Sequence, residues 1–384
     1  MTDRSHRHDV TSKTVSVPSR RYLRRDSSHV IDLYNAIHNG FQCNCDIPHL
    51  ANFGLPQISD HRQTDSSHLI KGWQFDLLFP IDDSEEDEVN FASALELEGL
   101  MATWSQLKID RATPVSPRSL AKQQIRSISI CECDDARLAE QQGSIQDLCV
   151  LIKTLDASVL VANARLGVLQ LEGKQYELHA PICNQSAAIA HNMVCLDDLL
   201  TDQRFLLSRK ERMSLALRLS FAILQFYSTP WIEACWTWRD FCVNQHNDSQ
   251  LFISRKFYST RSRALIMDSS RSSLTPGFWD IVGEPILTRL GFALIELALG
   301  KRLAELRPEH RDNIMDPDAL DFRTARKLVD GGDIMREEGQ RYEEVVKACL
   351  NHQIVSSQPT FQEDVERCII APLHAIWTSS WGDL

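Results

Sequence analysis

The most hydrophobic stretch of the chain is residues 286–299, where only three positions are polar. A helix that is apolar on every side cannot lie at a surface, and these 14 residues are too few to span a bilayer. Pro285 suits the first turn of a helix because it lacks an N–H group, and Gly300 suits the residue after its end. The pattern therefore predicts a helix buried at the centre of a helical domain.

Strand patterns concentrate before residue 182. Residues 125–130 alternate between apolar and polar side chains, which is typical of a strand with one buried face. The apolar runs 166–171 and 175–180 flank Gly173 and predict a β-hairpin. The other elements predicted in this half are strands within 68–79 and helices at 30–38 and 144–155.

After residue 182 the pattern is mainly helical. Ser208 and Glu211 match a capping box, in which each side chain accepts a hydrogen bond from the backbone N–H of the other residue. This box predicts the start of a helix that continues to about Ser228 and is ended by Pro230. The other elements predicted here are helices at 196–200, 318–330, 339–350 and 361–377, strands at 241–243 and 251–253, and a polar loop at 259–280.

Strands followed by helices predict an α+β fold. We divide the chain into a disordered basic tail at 1–29, a strand-rich region at 30–195 and a helical region at 196–384. In the tail, Ser27 lies behind two arginines, a context that basophilic kinases accept. Short matches of this kind are common and most are never used, so a chance match is the simpler interpretation and phosphorylation of Ser27 is the alternative.

Composition narrows the possible functions. The chain has 384 residues, of which 43% are hydrophobic and 24% charged, and these values are typical of globular proteins. A net charge of −11 disfavours nucleic-acid binding. Eleven cysteines without a secretory signal peptide indicate a reducing compartment, and no apolar run reaches the length of a membrane span. We expect a soluble cytoplasmic protein that needs no cofactor.

Two Cys-x-Cys pairs, at Cys43 and Cys45 and at Cys131 and Cys133, raise the question of a metal site. Four ligands drawn from these cysteines and His49 could hold a zinc ion in a tetrahedral site. The spacing argues against it, because neighbouring cysteines separated by one residue on a strand point to opposite faces. Buried thiols are the expectation, and a small zinc site that includes Cys43, Cys45 and His49 is the alternative.

The order of the elements resembles the protein kinase fold. The central apolar segment and two later segments match, in order, the anchoring helix of the large kinase lobe and the motif that closes a kinase domain: Leu290-Gly291, Glu296-Leu297, Gly300-Lys301, Ala348-Cys349-Leu350 and Gln358-Pro359-Thr360. This resemblance implies a small, strand-rich N-terminal lobe and a larger helical C-terminal lobe built around residues 286–299.

More closely, residues 30–378 are similar to a fungal domain of unknown function, which often follows the helical domains of prion-inhibition and cell-death (HeLo-type) proteins. Many weak matches in the right order carry this similarity: Ala36, Cys43, Cys45, His49, Leu148-Cys149, Leu166-Gly167, Tyr227-Ser228-Thr229-Pro230-Trp231, Trp236, Phe252-Ile253-Ser254-Arg255, Leu290-Gly291 and Ala371-Pro372-Leu373. The similarity implies a role in fungal signalling or cell death.

The sequence has no clear counterpart of the motifs that bind nucleotide in kinases. Phosphoryl transfer needs a lysine on the phosphates and backbone amides that cradle them. No glycine-rich loop precedes residue 182, where glycines are isolated. Lys153 ends a segment that imitates the kinase V-A-I-K motif, yet that segment has a helical pattern. An exposed helix lysine is the simpler interpretation.

The catalytic and metal-binding motifs are also altered. Residues 238–240, Trp-Arg-Asp, imitate the H-R-D motif, and Asn244 falls one residue short of the asparagine spacing. Asp240 is alternatively a turn cap. Arg255 and its neighbours stand where the magnesium-binding D-F-G belongs, and Ile286 replaces the aspartate that opens the central helix. These losses together indicate a pseudokinase-like module without phosphotransfer.

A binding function then remains. Trp231, Trp236 and Trp238 are candidates for an interface, although three tryptophans beside a helix end are more often core residues. Arg261 and Arg263 in the serine-rich loop are candidates for contact with an acidic or phosphorylated protein. We expect a catalytically inactive interaction or regulatory module with a protein partner. An atypical nucleotide-binding enzyme and a zinc-site protein are the alternatives.

Overall fold

A computed structural model describes ten segments of the chain: residues 27–55, 74–81, 124–133, 144–155, 164–180, 193–201, 207–244, 251–259, 277–307 and 316–382. Several predicted features lie outside these residues, namely most of the basic tail with its two arginines, most of the 259–280 loop, Arg261 and Arg263. The described residues form a mixed fold of α-helices and β-strands, which confirms the predicted α+β class.

Within the described segments, eight strands form one sheet in which all neighbours are antiparallel. Their order across the sheet is β4-β5-β3-β2-β1-β8-β7-β6. The strands are β1 (His49–Gly54), β2 (Gln74–Ile81), β3 (Gln124–Cys133), β4 (Arg165–Leu171), β5 (Lys174–His179), β6 (Met193–Cys195), β7 (Phe241–Asn244) and β8 (Leu251–Phe257).

The predicted hairpin is confirmed as β4 and β5, which are joined by Glu172 and Gly173. Both loop residues have positive φ angles, 44° for Glu172 and 88° for Gly173. Two-residue turns of this kind match the twist of the flanking strands and favour glycine because it has no Cβ. Local turn chemistry was therefore enough to locate this hairpin.

The two halves of the chain meet inside the sheet. Strand β1 pairs with β2 on one side and with β8 on the other, so that Asn52 lies opposite Ser254 and Phe53 opposite Ile253. Phe53 also packs against Trp231, with ring centroids 4.5 Å apart. Strands from before and after residue 182 thus share one core, and the proposed division at residue 195 stays a prediction.

The helices follow the predicted positions with small shifts. They are α1 (Ser27–Gly40), α2 (Leu148–Thr154), α3 (Leu196–Thr201), α4 (Arg209–Phe226), α5 (Phe278–Ile281), α6 (Pro285–Leu299), α7 (Leu303–Leu306), α8 (Pro317–Asp330), α9 (Asp333–Glu338), α10 (Gln340–Leu350), α11 (Phe361–Val365) and α12 (Ala371–Trp381). The short helices α7 and α9 were not predicted, and α5 occupies the end of the predicted 259–280 loop.

Helix α6 is the predicted central helix. It begins at Pro285, is buried along almost its whole length, and ends before Gly300, which has a left-handed backbone with φ of 62°. It packs between α4 and α10. At the contact with α10, a Cβ added to Gly291 would lie 2.8 Å from Cδ2 of Leu350. Glycine at this position therefore allows the two helices to approach closely.

Helix α4 begins as predicted. The Ser208 side chain accepts a hydrogen bond from the Glu211 N–H at 3.3 Å, and the Glu211 carboxylate accepts one from the Ser208 N–H at 2.7 Å. The helix ends at Phe226, two residues before the predicted end, because Tyr227 has a non-helical ψ of 136°. Ser228 then adopts a positive φ of 59°.

The last predicted helix, 361–377, is longer and less regular than expected. A π-helical turn at Glu366–Ile370 joins α11 to α12, and Pro372 lies in the first turn of α12. Wider turns of this kind release backbone groups from the regular pattern, which makes room for a proline that has no N–H. Among the described residues, no helix has both the length and the hydrophobicity that a bilayer crossing requires.

Candidate functional site

Three thiols and an imidazole converge at the amino end of β1. Cys43 and Cys45 lie in the segment between α1 and β1, His49 is the first residue of β1, and Cys149 is the second residue of α2. One ligand atom from each of these four residues lies within 4.8 Å of the other three. We refer to these four residues as the thiol cluster.

The surrounding structure fixes the position of each member of the cluster. Asp147 caps α2 by accepting a hydrogen bond from the Cys149 N–H at 2.9 Å. The Phe41 ring stacks on the His49 ring, with centroids 4.5 Å apart and planes 8° apart. On the other side of the cluster, the Ser259 hydroxyl donates to the carbonyl oxygen of Cys45 at 2.7 Å. A helix cap, an aromatic stack and a loop contact thus bring the four side chains together.

Inside the cluster, the sulfur of Cys43 lies 2.9 Å from Nε2 of His49, and the sulfurs of Cys45 and Cys149 lie 3.7 Å apart. The sulfur separation is far longer than a disulfide bond of about 2.05 Å. Burial raises the pKa of the Cys149 and Cys43 thiols and lowers the pKa of His49. The pKa shift of His49 favours a neutral imidazole, the form that binds metals.

The cluster corrects the argument about spacing. Cys43 and Cys45 do not lie on a strand, so the alternation of strand side chains does not separate them. The fourth residue is Cys149 rather than a member of the second Cys-x-Cys pair. Cys131 and Cys133 lie on β3, and their side chains fall outside the described part of the structure. Sequence spacing gave no signal for Cys149, because it lies 104 residues from Cys45.

The residues compared above with the catalytic and metal-binding motifs of kinases meet at a second place. Nη1 of Arg255 lies 3.1 Å from Oδ1 of Asp240 and 3.2 Å from Oε1 of Glu233, and its Nε donates to the carbonyl oxygen of Trp231. The Arg255 side chain is only 6% exposed. Oδ2 of Asp240 accepts a hydrogen bond from the Thr237 N–H at 2.7 Å. Asp240 is therefore both a turn cap and the partner of a buried guanidinium.

The remaining nucleotide candidates lie on separate elements. Lys153 is an exposed residue of α2, in agreement with the helical pattern of its segment. Asn244 is the last residue of β7 and lies opposite Met193 of β6. Neither position shows a phosphate cradle in the described residues.

A family model for a domain of unknown function, DUF7580, matches residues 20–367. The chain belongs to this family. The matched range includes the whole thiol cluster and the Arg255–Asp240 ion pair, so both sites lie inside the DUF7580 domain. No curated protein matches the chain.

The three candidate interface tryptophans lie in the core of the DUF7580 domain, with exposures of 0% for Trp231, 2% for Trp236 and 4% for Trp238. Their indole N–H groups donate to the Val30 carbonyl at 2.9 Å, the Ile286 carbonyl at 3.2 Å and the Glu296 carboxylate. Buried indoles with satisfied N–H groups act as anchors of the fold. The candidate phosphorylation residue Ser27 is the first residue of α1.

Proposed function

We propose that this DUF7580 chain is a kinase-like module without phosphotransfer activity, which acts in the cytoplasm by binding another protein. The resemblance of its sequence to kinases suggests the scaffold. The similarity to a fungal domain found beside prion-inhibition and HeLo-type domains suggests signalling or cell death as the setting. The main structural support for the proposed loss of phosphotransfer activity is the contact between Arg255 and Asp240.

Magnesium in a phosphotransfer site is held by carboxylate oxygens together with the phosphates. At Asp240, one carboxylate oxygen faces the Arg255 guanidinium at 3.1 Å, and the other accepts the Thr237 N–H. A divalent cation at this carboxylate would lie next to a buried positive charge. Unit charges 4 Å apart interact by about 4 kcal/mol at an effective dielectric constant of 20, so the guanidinium disfavours a metal ion strongly.

The ion pair also has a structural role that explains why a charged residue is buried here. The guanidinium links β8, the Trp231 loop and the 3-10 turn that contains Asp240. Removal of one partner from a fully buried ion pair generally costs about 3–5 kcal/mol because the other charge is left without compensation. The cost of removing Asp240 should be smaller, because its side chain is 26% exposed. This ion pair therefore supports the fold, and the resemblance to kinases assigns the same place in the chain to metal binding.

The proposal predicts that ATP does not stabilise the protein. We expect the thermal midpoint of the full chain to be unchanged by millimolar ATP with or without MgCl2, because ligands raise the midpoint only when they bind the native state. Incubation with ATP labelled on the γ-phosphate should transfer no label to the chain or to a generic substrate. The matched control is Asp240→Asn, which keeps the side-chain oxygen and loses the charge.

A magnesium-dependent rise in the melting point that disappears in Asp240→Asn would contradict the proposal and favour the nucleotide-binding alternative.

The binding function is tested separately with the full chain as bait in an extract of its host. We expect a protein with an acidic or phosphorylated surface to be retained by the wild type and lost with the double substitution Arg261→Glu and Arg263→Glu. Retention that is equal for both baits would argue against this loop as the binding surface.

A further inference from the structure

We propose that Cys43, Cys45, His49 and Cys149 bind one zinc ion in a closed, four-coordinate site. The proposal does not depend on the proposed function, since a structural zinc ion is compatible with an active or an inactive module. It begins from the convergence of four ligand atoms within 4.8 Å.

The separations between the ligand atoms are close to those of a tetrahedral site, since none exceeds 4.8 Å. Zinc binds thiolate sulfur at about 2.3 Å and imidazole nitrogen at about 2.0–2.1 Å, so tetrahedral ligand atoms lie roughly 3.5–3.8 Å apart. The Cys45 and Cys149 sulfurs are 3.7 Å apart, within this range. The Cys43 sulfur and Nε2 of His49, at 2.9 Å, must separate by roughly 0.7 Å. A small rotation of one side chain achieves this.

The chemistry of the donors selects the metal. Three thiolates and a neutral imidazole are soft and borderline ligands, which favour zinc over calcium or magnesium, whose ligands are oxygens. All four protein positions are filled by side chains, so no open position is left for a catalytic water. Such closed sites are structural rather than catalytic.

The charge of the surroundings suits this ligand set. Three thiolates with one zinc ion leave a single negative charge. Lys153 lies four residues after Cys149 on α2, and residues with this spacing share one face of a helix. The Lys153 ammonium group acts electrostatically on both Cys149 and His49, and the nearby Asp147 carboxylate acts on His49 in the opposite sense. The positive charge of Lys153 therefore compensates only part of the negative charge of the complex.

The zinc ion would connect parts of the chain that are distant in sequence. It would fasten the segment after α1 and the start of β1 to the first turn of α2, although Cys45 and Cys149 are separated by 104 positions. Metal binding of this kind contributes directly to folding, because the unfolded chain has no preformed site. The expected role is to hold α2 against the edge formed by α1 and β1.

The test is metal analysis of the full chain, purified without a metal-affinity tag or chelator. We expect about one zinc ion per chain, released by a thiol-reactive mercurial and detected by a chromogenic chelator. Cys149→Ser should lower the bound zinc to well below half, and removal of zinc from the wild type should lower the thermal midpoint by several degrees. The matched control is Cys235→Ser, which changes an exposed cysteine outside the cluster and should keep the full zinc content.

A variant that fails to fold would not leave the question open, because Cys149→His offers a second ligand at the same position. With cobalt in place of zinc, the wild type should show the visible absorption of a tetrahedral cobalt thiolate complex, and Cys149→His should shift these bands while one ion stays bound. Folded wild-type protein that holds less than about a fifth of an equivalent of zinc, and shows no tetrahedral cobalt spectrum, overturns the proposal. Stoichiometric iron in place of zinc overturns the choice of metal.

Discussion

Cys195 lies immediately before α3, where backbone N–H groups at the start of a helix have no partners within the helix. The Cys195 thiol donates a hydrogen bond to the carbonyl oxygen of Trp238 at 3.7 Å. Its thiolate form is favoured by the thiol of Cys242, which lies directly opposite on β7, and by the N–H groups of Asp197 and Asp198. Burial opposes ionisation, but the hydrogen bonds prevail and lower the pKa of Cys195 to about 7. The pKa of Cys242 is raised in return, because its proton bridges the pair.

We predict that alkylation of Cys195 by iodoacetamide rises with pH with a midpoint of about 7, two units below an ordinary thiol of 9.0. The thiolate is the reactive form, so the pH profile of the rate follows the pKa. Peptide mass spectrometry after short pulses measures the rate at each cysteine. Cys242→Ala removes the largest favourable hydrogen bond and should move the midpoint upward. A profile for the wild type centred near 9 would show that the hydrogen bonds do not act as described.

At the level of secondary structure, Gly291 controls how closely α6 and α10 approach. An added Cβ would lie 2.8 Å from Cδ2 of Leu350 and 3.1 Å from Cβ of Cys349. Both neighbours are fully enclosed, with exposures of 1% and 0%, so neither side chain can move away without disturbing the core. The glycine is required for packing rather than for its backbone angles.

We predict that Gly291→Ala lowers the free energy of unfolding by about 1–2 kcal/mol. Overpacking generally costs about 1–3 kcal/mol, and alanine returns at most about 1 kcal/mol through its better helix propensity. Urea unfolding followed by circular dichroism measures the change. In a Leu350→Ala background the contacts with Leu350 are absent and only the 3.1 Å contact with Cβ of Cys349 remains, so the same substitution should destabilise the protein much less. Equal destabilisation in both backgrounds would contradict the packing role of Gly291.

The elements that could be predicted from the sequence are those that local rules define. Pro285 and Gly300 mark both ends of α6, the Ser208 box marks the start of α4, and Gly173 marks the hairpin. Helix α9 was missed because glycines flank it at both ends and make the whole segment look like a loop. The ends of these helices and of the hairpin are therefore determined by a few neighbouring residues.

The candidate site was only partly predictable, because it depends on contacts between residues that are distant in sequence. Cys43, Cys45 and His49 lie within seven positions and could be named as candidates from their residue types, although the Cys-x-Cys spacing argued against a metal site. Cys149 joins them only because the fold brings α2 against the start of β1. The same limit applies to Arg255, whose position beside a kinase-like motif was visible, but whose ion pairs with Asp240 and Glu233 depend on tertiary structure.

For the whole molecule, the central feature is the pairing of β1 with β8 across the two halves of the chain. Phe53 of β1 packs against Trp231 and Phe226, with ring centroids 4.5 Å and 5.5 Å apart. Trp231 in turn donates a hydrogen bond to the Val30 carbonyl of α1. The helical half therefore completes its core with side chains from the first half.

We predict that residues 196–384 alone do not unfold cooperatively, because β8 would lack its neighbour and large aromatic side chains would be exposed to water. The full chain should unfold in one transition that coincides in circular dichroism and tryptophan fluorescence. Co-expression with residues 27–195 is the control and should restore that transition. A sharp transition of the isolated fragment at the melting temperature of the full chain would instead support two independent domains.

The same pairing has a consequence for synthesis on the ribosome. Strand β1 leaves the ribosome roughly 200 residues before its partner β8, and translation proceeds at about 5–20 residues per second. One edge of β1 therefore remains without its final neighbour for roughly 10–40 s. An unpaired strand edge in a nascent chain is a template for aggregation. Slow translation or chaperone depletion should therefore reduce the yield of this protein more than that of a protein whose neighbouring strands follow one another in sequence.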